Sequence, residues 1–149
     1  VRARPSTSKR GPVLYKTRYR SKLEERVADQ LEAESIPFEY ESVKLKYTVP
    51  ARNATYTPDF VIDKKIFIET KGWMRNAAER QKMILVKQAY PDLDIRMVFQ
   101  NANNPIYKGS QTTYAKWAED HGIKWADEGK IPEDWLIEMR EELKEIENG

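Results

Sequence analysis

Apolar residues recur along the chain with two different periods, and each change of period marks a boundary between elements. Leu23, Val27 and Leu31 fall four apart, which puts them on one face of a helix. Ser21-Lys22-Leu23-Glu24 opens this helix as a capping box, and Pro37 limits it to about Ser35. From Phe38 to Val49 the period shortens to two, with Phe38 and Tyr40, then Val43, Leu45 and Tyr47, separated by a shift in phase; this predicts extended chain. Pro50 and Asn53 mark a break or bridge. Two β-rich runs follow, Thr55 to Ile62 and Ile66 to Thr70, joined by Asp63-Lys64-Lys65 as a hairpin turn. A second helix is expected from about Arg75 to Ala89, with Ala78, Lys82, Leu85 and Ala89 at helical spacing. Asp94 to Phe99 reads as a strand and Asn101 to Ser110 as a loop. A short helix capped by Thr112 or Thr113 should run to His121, where Gly122 ends it. Ile123 to Ala126 can add a strand, and Glu133 to Ile146 reads as a charged helix. The order predicts an α/β fold, a mixed sheet flanked by helices.

Composition narrows the chemistry. The 149 residues, 40% of them hydrophobic, are enough for one core. The expected layout is a flexible basic arm over residues 1–16 and one domain over 17–149, within which 133–149 is the charged terminal helix. No run approaches the ~18 apolar residues of a membrane helix and no signal peptide is evident, so a soluble, intracellular protein is expected. With no Cys and one His, any metal must be held by oxygen, which favours hard cations such as magnesium, calcium or manganese. The net charge of +2 conceals a segregation: residues 1–22 carry eight basic and no acidic residues, whereas the chain from Ala126 onward is acidic. A basic arm with Tyr15 and Tyr19 suits phosphates, although a solvated tail has the same composition.

The hairpin is the most informative segment. If Asp63, Lys64 and Lys65 form the loop, Ile62 faces Ile66, and three residues back along each strand Asp59 faces Glu69. Such opposed residues have Cβ atoms ~5 Å apart on one face, and Lys71 shares that face. Two carboxylates beside Val61 and Phe67 should repel each other, and a bridging divalent cation would relieve them. Glu24 is explained by the capping box alone. His121 needs no role beyond a helix terminus. Trp73, Trp117, Trp125 and Trp135 read as core or interface residues rather than base-stacking platforms.

Pro58-Asp59 with Glu69-Thr70-Lys71 resembles the signature of the PD-(D/E)xK nucleases. Arg20-Ser21-Lys22-Leu23-Glu24, Thr55-Tyr56-Thr57-Pro58-Asp59-Phe60, Tyr107-Lys108-Gly109-Ser110 and His121-Gly122-Ile123-Lys124 further resemble the endonuclease I family of short-tailed coliphages, in order from about Arg20 to Leu136. That resemblance implies a restriction-endonuclease-like core, assembled as an intertwined, segment-swapped homodimer bridged around residues 49–53. It also implies resolution of four-way (Holliday) junctions and other branched DNA by hydrolysis that nicks two strands. Glu24, Asp59, Glu69 and Lys71 would be catalytic, which changes the reading of Glu24. Asp59, Glu69 and the Thr70 carbonyl would hold one metal, with Asp59 and Glu24 approaching a second. Mg2+ or Mn2+ is expected, two per site, and Lys71 would orient or activate water. Arg10, Lys16, Arg18 and Arg20 are the expected DNA contacts, and the host cytoplasm the expected location of a phage-encoded protein. The coliphage relatives have a basic C-terminal tail where this chain is acidic. Another nuclease of the same superfamily, of restriction or exonuclease type, and a non-catalytic DNA-binding module are the alternatives.

Overall fold

A computed structural model describes residues 19–49, 52–74 and 76–148. Arg10, Lys16, Arg18 and the arm over residues 1–16 lie outside the described residues, as do residues 50 and 51 of the expected bridge. A five-stranded mixed sheet forms the centre, in the order β1 (Glu39–Tyr40), β4 (Phe60–Ile62), β5 (Ile66–Lys71), β6 (Asp94–Phe99) and β7 (Lys124–Ala126). β4 runs antiparallel to both β1 and β5, while β6 and β7 continue parallel to β5. Strands β2 (Leu45–Val49) and β3 (Arg52–Tyr56) pair separately as a two-stranded ribbon.

Helices cover both faces. On one face α1 (Lys22–Ala33) and α4 (Glu133–Asn148) pack on Phe60, Ile62, Ile66, Ile68 and Val98. On the other, the ribbon, α2 (Ala77–Ala89) and α3 (Tyr114–Asp120) enclose Val61, Phe67, Ile95, Met97 and Phe99. Alternate β5 residues thus point into two separate cores, as its period of two requires. Arg96 is buried beneath α4, paired with Asp94 at 2.8 Å and Glu138 at 2.9 Å, with its guanidinium over the Trp135 ring.

The hairpin has the expected register: Phe60 faces Ile68, Val61 faces Phe67 and Ile62 faces Ile66. Asp63 and Lys64 both have positive φ, as a type I′ turn demands. Three expectations need correction. The run from Thr55 to Ile62 is two elements: β3 belongs to the ribbon, and Thr57-Pro58-Asp59 crosses to the sheet before β4 begins. Pro58 cannot donate to a ladder, which suits this crossing. Phe38 to Val49 likewise divides into β1 and β2, at the phase shift, where Glu41 takes a φ of +49°. On α2 the buried residues are Met83 and Val86 rather than the spaced set from Ala78 to Ala89, because the sheet meets the helix on the Met83 side. Thr113 caps α3, accepting the Lys116 N–H, and Gly122 follows with a φ of +69°.

Candidate active site

At the end of the sheet opposite the β4–β5 turn, α1, the residue after β1, the start of β4 and the end of β5 bring carboxylates together. Glu24 lies in the first turn of α1. Ser21 caps that turn, accepting the Glu24 N–H at 3.1 Å, but the Glu24 carboxylate does not close the box on the Ser21 amide. It instead accepts the Arg20 N–H at 3.3 Å, the Ser21 hydroxyl at 3.4 Å and the Tyr40 hydroxyl. These bonds hold it among the groups described next.

Asp59 is the centre of the arrangement. One of its carboxylate oxygens accepts both the N–H and the hydroxyl of Thr70, each at 2.9 Å, so the aspartate reaches across to β5. Its backbone carbonyl accepts the Glu41 N–H at 3.0 Å. Carboxylate oxygens of Glu24, Glu41 and Asp59 lie within 4.8 Å of one another, a set able to hold a metal ion. Glu41 is not among the residues expected from the sequence. Its left-handed backbone is uncommon for a glutamate, and such strain is concentrated at functional sites. Arg20, expected as a DNA contact, is ion-paired with Glu41 at 2.9 Å, while its side chain remains 77% exposed.

Glu69 and Lys71 form the other half, on the face of β5 that carries Phe67. Glu69 is 7% exposed; one oxygen accepts the buried Tyr56 hydroxyl at 2.7 Å and the other lies 3.5 Å from the Lys71 Nζ. Lys71 also faces Glu79 at 3.9 Å, and Lys82 lies over the Tyr56 ring. Tyr40 and Tyr56, one hydroxyl on each glutamate, are the other partners that sequence reasoning missed. Their spacing alone gives no sign of this, since Tyr56 ends a ribbon strand and Tyr40 lies in a strand of two residues.

Burial is the main electrostatic influence. It pushes Asp59 up to about 6, assisted by the charge of Glu24 and opposed by the Thr70 hydrogen bonds and Lys71. It pushes Glu69 up to about 8, with Asp59 adding to the rise. Lys71 is held above its ordinary value because Glu69, Glu79 and Asp59 outweigh its own burial. Carboxylates so placed need a counter-charge to ionise together near neutrality, and their all-oxygen donor set fits a hard divalent cation. His121 caps α3 with its ring against the Trp117 carbonyl, remote in role from this chemistry.

Comparisons with known proteins converge. The profile of the phage endonuclease I family matches residues 7–147. The chain is 46% identical over 125 residues to Endonuclease I of Escherichia phage T7, covering 84% of this chain and 83% of that protein. It is 42% identical over 128 residues to Endodeoxyribonuclease 1 of Enterobacteria phage T3, covering 86% of this chain and 81% of the relative.

Proposed function

The chain belongs to the phage endonuclease I family, and on that premise we propose that it is a metal-dependent, structure-selective DNA endonuclease that resolves four-way junctions and other branched DNA. One observation carries the reading: the Asp59 carboxylate is shared between the Glu24–Glu41 group and the end of β5 that bears Glu69 and Lys71. Glu24, Asp59, Glu69 and Lys71 are the residues of the reaction. Asp59 and Glu69, with the Thr70 carbonyl, would hold one divalent cation, Mg2+ or Mn2+; Asp59, Glu24 and Glu41 would hold a second. When bound, the cations supply Lewis-acid stabilisation of the phosphate and the leaving oxygen.

Lys71 orients the attacking water with its Nζ while Glu69 fixes that ammonium from 3.5 Å. The water oxygen bonds to phosphorus and gives up one proton to solvent, one ester P–O bond breaks in line with it, and the departing oxygen takes up a proton from solvent. Arg20, with Arg10, Lys16 and Arg18 of the basic arm, engages the phosphate backbone. The site is to be tested by incubating a four-way junction, a linear duplex and a closed plasmid with Mg2+ and with EDTA. Paired nicks at the junction branch, abolished by EDTA, are expected; trimming confined to free ends would instead identify an exonuclease.

The working form is a homodimer that exchanges α1, β1 and β2. Supporting this, α1, β1 and β2 all precede β3 in the chain and meet the remainder through the β1–β4 and β2–β3 ladders and the α1 core face, contacts that a second copy could make in their place. Extension of the chain between Val49 and Arg52 would give Glu24 to a second copy with the same neighbours. Co-folding Glu24→Ala with Asp59→Ala chains should restore one working centre per heterodimer, whereas self-contained sites give no rescue. The protein acts inside the host cell; no helix among the described residues is long and apolar enough to cross a membrane.

A further inference from the structure

A groove of about 450 Å³ runs between the β2–β3 ribbon and α2, with Tyr47, Arg52, Ala54, Glu79, Lys82 and Leu85 on its walls. Its base is apolar: Tyr47 is buried, and the partly buried Ala54 and Leu85 pack against the second core. Arg52, Ala54 and Tyr56 alternate along β3 and so share one face of the ribbon, which sets Arg52 about 13 Å from Tyr56. The Tyr56 end of this row is the reaction centre, since its hydroxyl donates to Glu69 at 2.7 Å. Lys82 stands over the Tyr56 ring, its Nζ 5.5 Å from the centre, and Glu79 faces Lys71 at 3.9 Å. The groove therefore begins beside the Glu69–Lys71 half of the site and leads away from it along β3 to Arg52.

Its charges are unusual for this molecule. Arg20, Lys71 and Arg96 each meet a carboxylate. Among the described residues neither Arg52 nor Lys82 forms an ion pair, and the one acid lining the groove, Glu79, is engaged by Lys71. Two uncompensated cations above an apolar base repel each other, and an anion bound between them removes that cost. A lone phosphate group would satisfy one of them. A row about 13 Å long that starts at a centre built for phosphodiester cleavage instead matches a polyanion, and a DNA strand carries one charge per ~3.4 Å of helix axis.

We propose that this groove holds the backbone of the cleaved DNA strand beside the scissile phosphate, with Lys82 on a phosphate next to the cut and Arg52 on one farther along. This rests on the DNA-cleaving reading above. Its test measures binding of the full-length protein to a four-way junction in EDTA over a range of salt. Lys82→Gln and Arg52→Gln should each weaken binding about fivefold at low salt and lower the slope of log affinity against log salt by about 0.9. Lys82→Arg and Arg52→Lys should restore the slope, and Lys64→Gln, in the turn at the other end of β5, should leave it unchanged. A junction with neutral methylphosphonates at the phosphates flanking the scissile bond should no longer respond to Lys82→Gln. A slope unchanged in either glutamine variant, affinity lost without a change of slope, or a full Lys82→Gln effect on the methylphosphonate junction would overturn the groove. Failure of the unmodified protein to cut junctions with Mg2+ would instead remove the DNA-cleaving reading.

Discussion

The two halves of the site are built from different materials. Glu69 and Lys71 project from the middle strand of the sheet, within a register fixed by neighbours on both sides. Glu24 and Glu41 come from a helix start and from a strained residue after a two-residue strand, with Arg20 as an exposed counter-ion. The sheet half is set by the fold itself. The helix half is attached through peripheral elements and is the adjustable one, so its carboxylates can be altered without unpicking the core.

Asp59 belongs to both halves, so its loss should be the most severe. Asp59→Asn is expected to lower single-turnover junction cleavage by about 10³-fold or more while leaving junction affinity in EDTA within about twofold. Comparable loss of binding would show that Asp59 supports the DNA surface rather than the reaction.

Glu69→Gln isolates the sheet half, with a fall in cleavage of about 10²-fold. It should also have an opposite effect on stability. Glu69 rises from 4.5 to about 8 on folding, so the metal-free folded state holds its proton more tightly than the unfolded chain. Stability is therefore lost as pH climbs from about 4.5 to 8, and the glutamine variant escapes that loss. Denaturant unfolding in EDTA should show the variant gaining stability relative to the parent as pH rises from 4 to 9, with ~5 kcal/mol as the upper limit. For the same reason, cleavage at limiting Mg2+ by the unmodified protein should rise between pH 6 and 8, as Asp59 and Glu69 release protons.

Glu41→Gln probes the helix half. Its expected effect is about a 10-fold weaker Mn2+ affinity by titration calorimetry, with junction affinity retained. An unchanged affinity would reduce Glu41 to a partner of Arg20. The smallest contrast concerns the hydroxyls: Tyr56→Phe should slow cleavage by about 10-fold and Tyr40→Phe by less than about threefold. The buried Tyr56–Glu69 bond has no replacement donor from water, whereas Glu24 retains the Ser21 hydroxyl and the Arg20 N–H.

That division also governed what could be read from the sequence. Alternation on both faces of β5 and a three-residue loop were enough to set the register of Phe60–Ile62 against Ile66–Ile68, because strand register is a local matter; Asp59 lies just before that ladder, and its carboxylate turns to Thr70. The cap at Ser21 was equally local. Glu24 was visible as a capping residue, and its catalytic expectation came only from the family resemblance. Glu41 left no trace, since a positive φ at a glutamate is imposed by tertiary packing and not encoded by its neighbours. The tyrosines were similarly hidden, because their partners lie 16 and 13 residues away across separate elements. Trp73 reads as core or interface from the sequence, and the fold leaves it 58% exposed.

The acidic terminal helix has a consequence for how nucleic acid arrives. Arg96 anchors α4 to the sheet through Glu138, and Lys65 in the β4–β5 turn meets Glu142 at 3.0 Å with Glu145 near, so these carboxylates lie at the turn end of β5, opposite its Lys71 end. Their charge would push an incoming duplex from that pole and turn it, like a compass needle, toward the opposite one. Added salt would weaken this torque first, leaving short-range contacts to finish the encounter.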